Sequence, residues 1–259
     1  MADANTLNIC ISHIPFPATF AHYVDLMLAP RPLDIAAPLI VAPDERFGAG
    51  GRALAEYAQV AWLSDHFDEV VGIYDFIRVI HYRRFVSRVS MGRQTNHFFA
   101  NYIREDELDA AEAEFDRHSE TGLVNSPVTF PVGGTLAQYA VWHVLEDMLT
   151  FSTWLMEAGL FTPLEAARFL EQPKLIPASS TGLFPVAVLR ELCAKLRSAA
   201  EFVNSPRYIP REGYQRRLGG FLLERFNSHL LMNLVRDGRI KAAGHYIYIS
   251  EDGHIRPTI

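Results

Sequence analysis

LNICIS at residues 7–12 decides how the chain is read. The run is mostly apolar, too short for a helix, and followed by His13, Pro15 and Pro17, so it reads as a first buried strand entering a loop. PLIVA at 38–42 has the same form before Pro43, and FIRVI at 76–80 repeats it before His81. EVVGIY at 69–74 also reads as strand-like, and HYIYI at 245–249 alternates like a late strand. Helical patterning covers 53–67, where Leu54, Tyr57, Ala58, Ala61 and Trp62 recur, then 135–170 with breaks near Gly159 and Pro163, 185–202 and 213–237. Residues 104–118 are charged and helix-prone; 175–184 read as a loop rich in Pro, Ser and Gly. Short strands interleaved with helices predict an α/β or α+β domain with many helices. There is no internal repeat, and the best candidate boundary, the Pro-containing segment 203–211, is weak.

The chain has 259 residues, 49% hydrophobic and 21% charged, which suits one large domain or two small ones tightly joined. Such a chain buries a sizeable core without a disulfide or metal staple. A net charge of -6 argues against bulk nucleic-acid binding, although a local basic cluster can still hold a small anion. Cys10 and Cys193 lie far apart and outside any CxxC spacing, so both are expected to be buried thiols in a reducing compartment. MADANTLNIC lacks the basic start and apolar run of a secretory signal, and no stretch reaches the roughly 18 apolar residues of a membrane span. The expected location is cytoplasmic, with peripheral contact at the inner face of the cytoplasmic membrane left open.

Three constellations could carry chemistry. His81-Tyr82-Arg83-Arg84 follows an apolar strand. Period-2 alternation predicts His81 and Arg83 on one side and Tyr82 and Arg84 on the other. Adjacent guanidiniums there bind phosphate oxygens, or are an ordinary surface pair with carboxylate partners. Tyr139, His143, Glu146 and Asp147 fall at i, i+4, i+7 and i+8, one stripe of a continuous helix. A carboxylate beside a histidine serves as base, metal ligand or sugar-hydroxyl anchor; the alternative is an internal salt bridge or cap. Arg217, Gly220, Phe221 and Glu224 share a third helical face, with Arg225 beside it. A glycine inside a helix costs about 1 kcal/mol against alanine, so Gly220 requires a close approach of another backbone or a ligand. Here too a structural Arg–Glu pair is the plain alternative.

Other motifs are lacking. Gly48, Gly50 and Gly51 are not followed by GKS or GKT, so the phosphate-cradle match fails and the segment reads as a loop. HExxH, Cys/His zinc spacing, GxSxG and a strand-following GxGxxG are absent. His97, His118, His229 and His245 have no ligand spacing. There is no DxD triplet, the common metal signature of nucleotide-sugar transferases.

The three constellations, in this order, resemble the DUF4422 family of bacterial glycosyltransferases, which includes capsule, O-antigen and galactofuranosyltransferase-like members. The resemblance spans roughly residues 7–235. It takes in Ile11-Ser12-His13 after the first strand, Glu56, Tyr57 and Trp62 in an early helix, His81 to Phe85, Tyr139 to Asp147, and Arg217 to Arg225. The sequence departs from the family pattern at Arg78, at His13-Ile14 and at Ser180-Thr181-Gly182-Leu183-Phe184.

The resemblance implies a GT-A-like α/β fold: a single helix-rich domain over 1–259 around a central, mostly parallel sheet. It also implies a hexosyltransferase using a nucleotide-diphosphate sugar, of UDP-hexose or UDP-galactofuranose type, and a polysaccharide or lipid-linked glycan acceptor. Donor contacts are then expected from His13, His81, Arg83, Arg84, Arg217 and Arg225, and acceptor contacts from Tyr139 and Glu146. The expected catalytic groups are Asp147, Glu224 and His143. No metal ligand is assigned, and a requirement for Mn²⁺ or Mg²⁺ stays open. The alternative is an inactive nucleotide-sugar-binding protein or a partner subunit of a polysaccharide assembly complex.

Overall fold

The computed structural model describes residues 5–254, apart from 16–17, 36, 44, 46, 48–50, 98, 113–114, 116–120 and 131–132. Its strands are β1 (Thr6–Ile11), β2 (Leu26–Ala29), β3 (Leu39–Val41), β4 (Phe76–His81), β5 (Arg84–Ser87), β6 (Arg93–Gln94), β7 (Ala100–Ile103), β8 (Gly122–Asn125), β9 (Val128–Thr129), β10 (Lys174–Leu175), β11 (Gly182–Pro185) and β12 (Ile240–Ile249). Its helices are α1 (Ala18–Ala21), α2 (Gly51–Leu54), α3 (Tyr57–Asp65), α4 (Phe67–Val71), α5 (Thr135–Trp142), α6 (Leu145–Glu157), α7 (Pro163–Glu171), α8 (Val186–Ala200) and α9 (Leu218–Arg236).

The ten-stranded sheet runs β3-β2-β1-β4-β11-β8-β12-β7-β6, with β5 pairing both β12 and β4. It is mostly parallel along that path: β3, β2, β1 and β4 are parallel, as are β8, β12 and β7. This is the α/β, largely parallel architecture expected above. The register pairs Ile9 with Val79 and Ile11 with His81, so β1 and β4 end together. The chain leaves β1 toward β2 and β3 on one side and returns as β4 on the other. That reversal makes a crevice beyond the carboxyl ends of β1 and β4, where open α/β sheets hold ligands.

Burial explains why these runs are apolar throughout. Leu7, Ile9 and Ile11 face a core shared with α3, α6, α8 and α9, while Cys10 and Ile80 face a second core with Phe20, Phe85, Phe115 and Ile247. All six residues of β4 are buried, as a strand covered on both faces requires. Each aliphatic side chain so buried contributes about 1.5–3 kcal/mol. Arg78 fits this interior because its Nη1 donates to Asn8 Oδ1 at 3.0 Å and to the Phe115 carbonyl at 2.7 Å. Both cysteines are free and buried, and burial raises the Cys193 thiol to about 12.

Several expected elements are corrected. Residues 69–71 close α4, with Phe67 and Val71 buried one turn apart, and Gly72 at φ +55° ends the helix before β4. The stretch 53–67 holds the end of α2, all of α3 and the first residue of α4, with breaks at Ala55–Glu56 and His66. LMLA at 26–29 forms a strand the sequence reading passed over, and 175–184 contributes the ends of β10 and β11. His81 to Arg84 is not an alternating strand. The chain turns at Tyr82-Arg83, and His81 pairs across the hairpin with Arg84, which puts those two side chains on one face. Nor do Tyr139 and Asp147 share one helix. His143 (φ -136°, ψ 172°) and Val144 (φ -76°, ψ 115°) are extended and separate α5 from α6.

The glycines of α9 do have the reason the sequence demanded. A Cβ on Gly220 would lie 3.1 Å from Ala55 Cβ and 3.2 Å from the Leu54 carbonyl; one on Gly219 would lie 3.1 Å from the Ala53 carbonyl. The α2–α3 turn therefore rests directly on α9, and this sets Glu56 beside the start of α9. Gly220→Leu is expected to lower the unfolding free energy by about 2 kcal/mol through overpacking, read from the urea midpoint. An unchanged midpoint would show that the approach is not tight.

Candidate functional site

The carboxyl ends of β1 and β4 deliver His13 and His81, and the β4–β5 turn delivers Arg83 and Arg84. They gather around a carboxylate that the candidate list omitted, Glu56. Its Oε1 accepts from Arg84 Nη2 at 2.9 Å and from Ser180 Oγ at 3.3 Å. His81 Nε2 lies 3.8 Å from Oε1, and Arg217 Nη2 lies 3.8 Å from the other oxygen, Oε2. Ala55 and Ala178 are the non-glycine residues with positive φ among the described residues, at 51° and 49°. They precede Glu56 and the Ser179–Ser180 pair, so the strained backbone sits at this cluster. Ser179 Oγ donates to the Glu224 carbonyl at 2.9 Å, and Asn227 Nδ2 donates to the Ser179 carbonyl at 2.8 Å, fastening that loop to α9.

Electrostatics set the charge states. Burial alone would raise the Glu56 carboxyl, but His81, Arg84 and Arg217 outweigh it and bring it down to about 2. Burial, reinforced by Arg84, lowers His81 to about 3, so its imidazole is neutral at pH 7 and the two arginines are the working counter-charges. Burial opposes the charge on Arg84, yet Tyr246, Glu56 and Glu224 more than restore it. Arg83 lies over the rings of Tyr82 at 5.1 Å and Tyr248 at 5.2 Å. His13 meets the edge of Tyr82 at the exposed rim, with its pKa lowered by partial desolvation and by Arg217.

Arg84 also lines a cavity of about 520 Å³, within the size range of small-molecule sites. Glu224, Arg225 and His143 face the same space, among the aromatic rings of Phe99, Trp142, Tyr214, Phe221 and Tyr246. Glu224 accepts from Arg225 Nη1 at 2.8 Å and keeps 36% of its side chain exposed. Arg225 is anchored from behind: Nε and Nη2 donate to Gln138 Oε1 at 3.3 and 3.2 Å, and its guanidinium stands 5.8 Å over Tyr139. Gln215 Nε2 donates to the Trp142 carbonyl at 2.8 Å, which turns its Oε1 toward His143 Nδ1 at 3.0 Å. Nδ1 therefore carries the proton and Nε2 the lone pair. Burial pulls that imidazole down to about 4.

Eight of the candidate residues thus fall in one region. His13, His81, Arg83, Arg84 and Arg217 surround the Glu56 end, while Glu224, Arg225 and His143 join Arg84 in the cavity. The remaining three are elsewhere. Tyr139 is fully buried beneath Arg225, and its hydroxyl has no hydrogen-bond partner. Asp147 is buried and bound by Arg211 Nη2 at 2.7 Å; Glu146 lies exposed on α6. None of these three lines the cavity. The break at His143 is the physical cause, because it turns α6 away from the stripe a continuous helix would have made. Glu56 and Ser180 enter the sequence reading only through the family resemblance, with no site role, and Gln138 and Tyr246 are not singled out there; the three-dimensional meeting gives them their place. Gly48, Gly50 and His118 lie outside the described residues.

Among the described residues, no group of three or more His, Cys, Asp or Glu side chains is placed to hold a metal ion. The two carboxylates of the site, Glu56 and Glu224, are each taken up by arginine. No helix among the described residues is long and apolar enough to cross a membrane.

The buried titratable groups predict a pH dependence. His81, His143 and His229 are all lowered from 6.5, to about 3, about 4 and about 4, with burial the main cause. Below pH 6.5 the unfolded chain binds protons that the folded chain refuses, so stability falls as pH falls. Glu56, lowered from 4.5 to about 2, adds a contribution that is complete above 4.5 and lost toward 2. Urea unfolding is expected to lose about 1 kcal/mol per histidine between pH 7.5 and 5.5. A flat profile across that window would overturn the neutral-histidine assignment.

With the geometry in hand, the chain can be placed among known structures. Over 98% of its length it is similar to WbbM, a bifunctional glycosyltransferase solved in its apo form, with a TM-score of 0.68 and 13% identity. The chain spans 48% of that protein, about half its length. At this identity the likeness is one of fold: the chain has a glycosyltransferase-like α/β fold. No protein-family model and no curated protein matches it.

Proposed function

We propose that the chain is a glycosyltransferase that moves a sugar from a nucleotide-diphosphate donor to a glycan acceptor. The observation that carries the reading is the cavity beside the Glu56–Arg84 cluster, where a partly exposed carboxylate, Glu224, shares the space with the guanidinium groups of Arg84 and Arg225 among aromatic walls. In this reaction the acceptor hydroxyl oxygen bonds to the anomeric carbon. The bond from that carbon to the phosphate oxygen breaks, and its electron pair leaves on the nucleoside diphosphate. Glu224 takes the hydroxyl proton. Arg84 carries a buried Nε with no hydrogen-bond partner, a donor suited to an incoming phosphate oxygen. Arg84, Arg83 and Arg217 offset the charge that grows on the leaving group. His143, held by Gln215 and stacked on Phe221, is assigned to positioning.

The motif resemblance points to a UDP-hexose or UDP-galactofuranose donor and a capsule or O-antigen type of product. A lipid-linked acceptor suits Trp142, which lines the cavity and is 68% exposed, and the exposed apolar side chains close to it in the chain, Val141 at 53% and Leu145 and Leu149 at 42%. The competing reading, a binding protein without turnover, draws on the prior engagement of Arg84 by Glu56. A thermal-shift screen of nucleotide diphosphates and their sugars, with and without Mn²⁺, is the first test. A ligand at a hundred times its Kd adds about 2.7 kcal/mol. A shift with slow donor hydrolysis is expected. A shift with no hydrolysis under any acceptor favours the binding protein, and no shift at all removes the nucleotide-sugar reading.

A further inference from the structure

A second, smaller pocket of about 180 Å³ opens beside the main cavity. Phe99 and Tyr246 line both spaces, and their rings stack at 6.4 Å with 10° between planes, so the pair forms a shared wall. The far side of the small pocket is built differently from the main cavity. Its lining side chains are Ser90, Asn101, Asn125, Ser126 and His245, and among the described residues no Asp, Glu, Lys or Arg lines it.

Asn125 is the telling residue. It is 1% exposed, and its Nδ2 donates to the Pro177 carbonyl at 2.9 Å. Its Oδ1 is buried with no partner. A buried acceptor left unmade costs about 1–3 kcal/mol, so its retention calls for a reason. The strand beside it is irregular as well: the β8–β12 register shifts between Ala242 and Gly244, and Gly244 is the residue that pairs with Asn125. Bulges of this kind re-aim side chains next to binding sites. Asn101 is held in place, its Nδ2 donating to Ser90 Oγ and to the Met91 carbonyl, each at 3.1 Å.

Amides, hydroxyls and one imidazole against an aromatic face suit a neutral polyhydroxylated ring, and no guanidinium or ammonium group among the described lining residues is there to hold a phosphate. We propose that this pocket holds a second sugar ring of the acceptor chain, adjacent to the ring being extended in the main cavity, so that the protein selects acceptors of two or more sugars. The proposal rests on the glycosyltransferase reading and adds an acceptor subsite to it.

The test compares transfer to a panel of methyl monosaccharides and their methyl disaccharides, together with ligand-observed NMR binding of the same glycosides. Wild-type protein is expected to prefer a disaccharide at least tenfold in kcat/KM. Asn101→Ala and Ser126→Trp, the second filling the pocket from its exposed side, are expected to reduce that ratio tenfold or more. The ratio is independent of the fraction of active protein. Donor hydrolysis with no disaccharide preference, or a preference unchanged in both variants, overturns the subsite and leaves the transferase reading standing. If the donor is neither bound nor hydrolysed, the transferase reading fails; disaccharide binding lost in Ser126→Trp then still upholds the pocket as a sugar site, and no disaccharide binding overturns both.

Discussion

Glu224→Gln is expected to lower transfer by about 10²–10⁴-fold, the usual contribution of a general base, with donor binding retained. The substitution keeps the shape of the side chain and leaves an oxygen to accept from Arg225 Nη1, now 2.8 Å from Glu224 Oε2. What it removes is the capacity to take the acceptor proton. Steady-state kcat/KM for transfer, beside the donor-induced thermal shift, separates the two effects. Asp147→Asn is the control, because that carboxylate is buried against Arg211 and lies off the cavity. It is expected to cost stability more than turnover. Near-normal transfer in Glu224→Gln, with turnover lost in Asp147→Asn, would reverse the assignment.

The second large effect concerns Glu56 and Arg84. Removing either partner leaves a buried charge without its main counter-charge, a change worth about 3–5 kcal/mol. Glu56→Ala and Arg84→Ala are each expected to destabilise on that scale in urea unfolding at pH 7. The double variant is expected to fall short of the sum by about 1–3 kcal/mol, since one deletion already forfeits the pair. Strict additivity would mean that the 2.9 Å contact carries no coupling. Loss of transfer in Arg84→Ala must therefore be read beside its stability. Arg84→Lys, which keeps charge but not the fork geometry, makes the cleaner kinetic probe.

Local chemistry determined much of this protein. The apolar runs at 7–12, 38–42 and 76–80 read as buried strands; they form β1, β3 and β4, although β3, at the sheet edge, is only half-buried and leaves Val41 exposed. Gly159 and Pro163 end one helix and begin the next, with Thr162 and Glu165 closing a capping box at the start of α7. Gly220 announced a close backbone approach, and the α2–α3 turn supplies it. These features are legible because φ preference, hydrogen-bonding capacity and hydrophobic period act within a few residues of one another.

Tertiary structure alone decided the rest. The hairpin at Tyr82-Arg83 is set by pairing of β5 with β12, more than 150 residues away, and it puts His81 and Arg84 on one face where period-2 reading separated them. The helix break at His143 is stabilised by Gln215 and by stacking of the imidazole on Phe221 at 4.2 Å, contacts that no window around residue 143 contains. Glu56 became the centre of the site because α9, β4 and the Ser180 loop converge on it. A side chain's charge state and partners depend on the burial and charges brought to it by distant segments, and the sequence carries no local record of which segments those are.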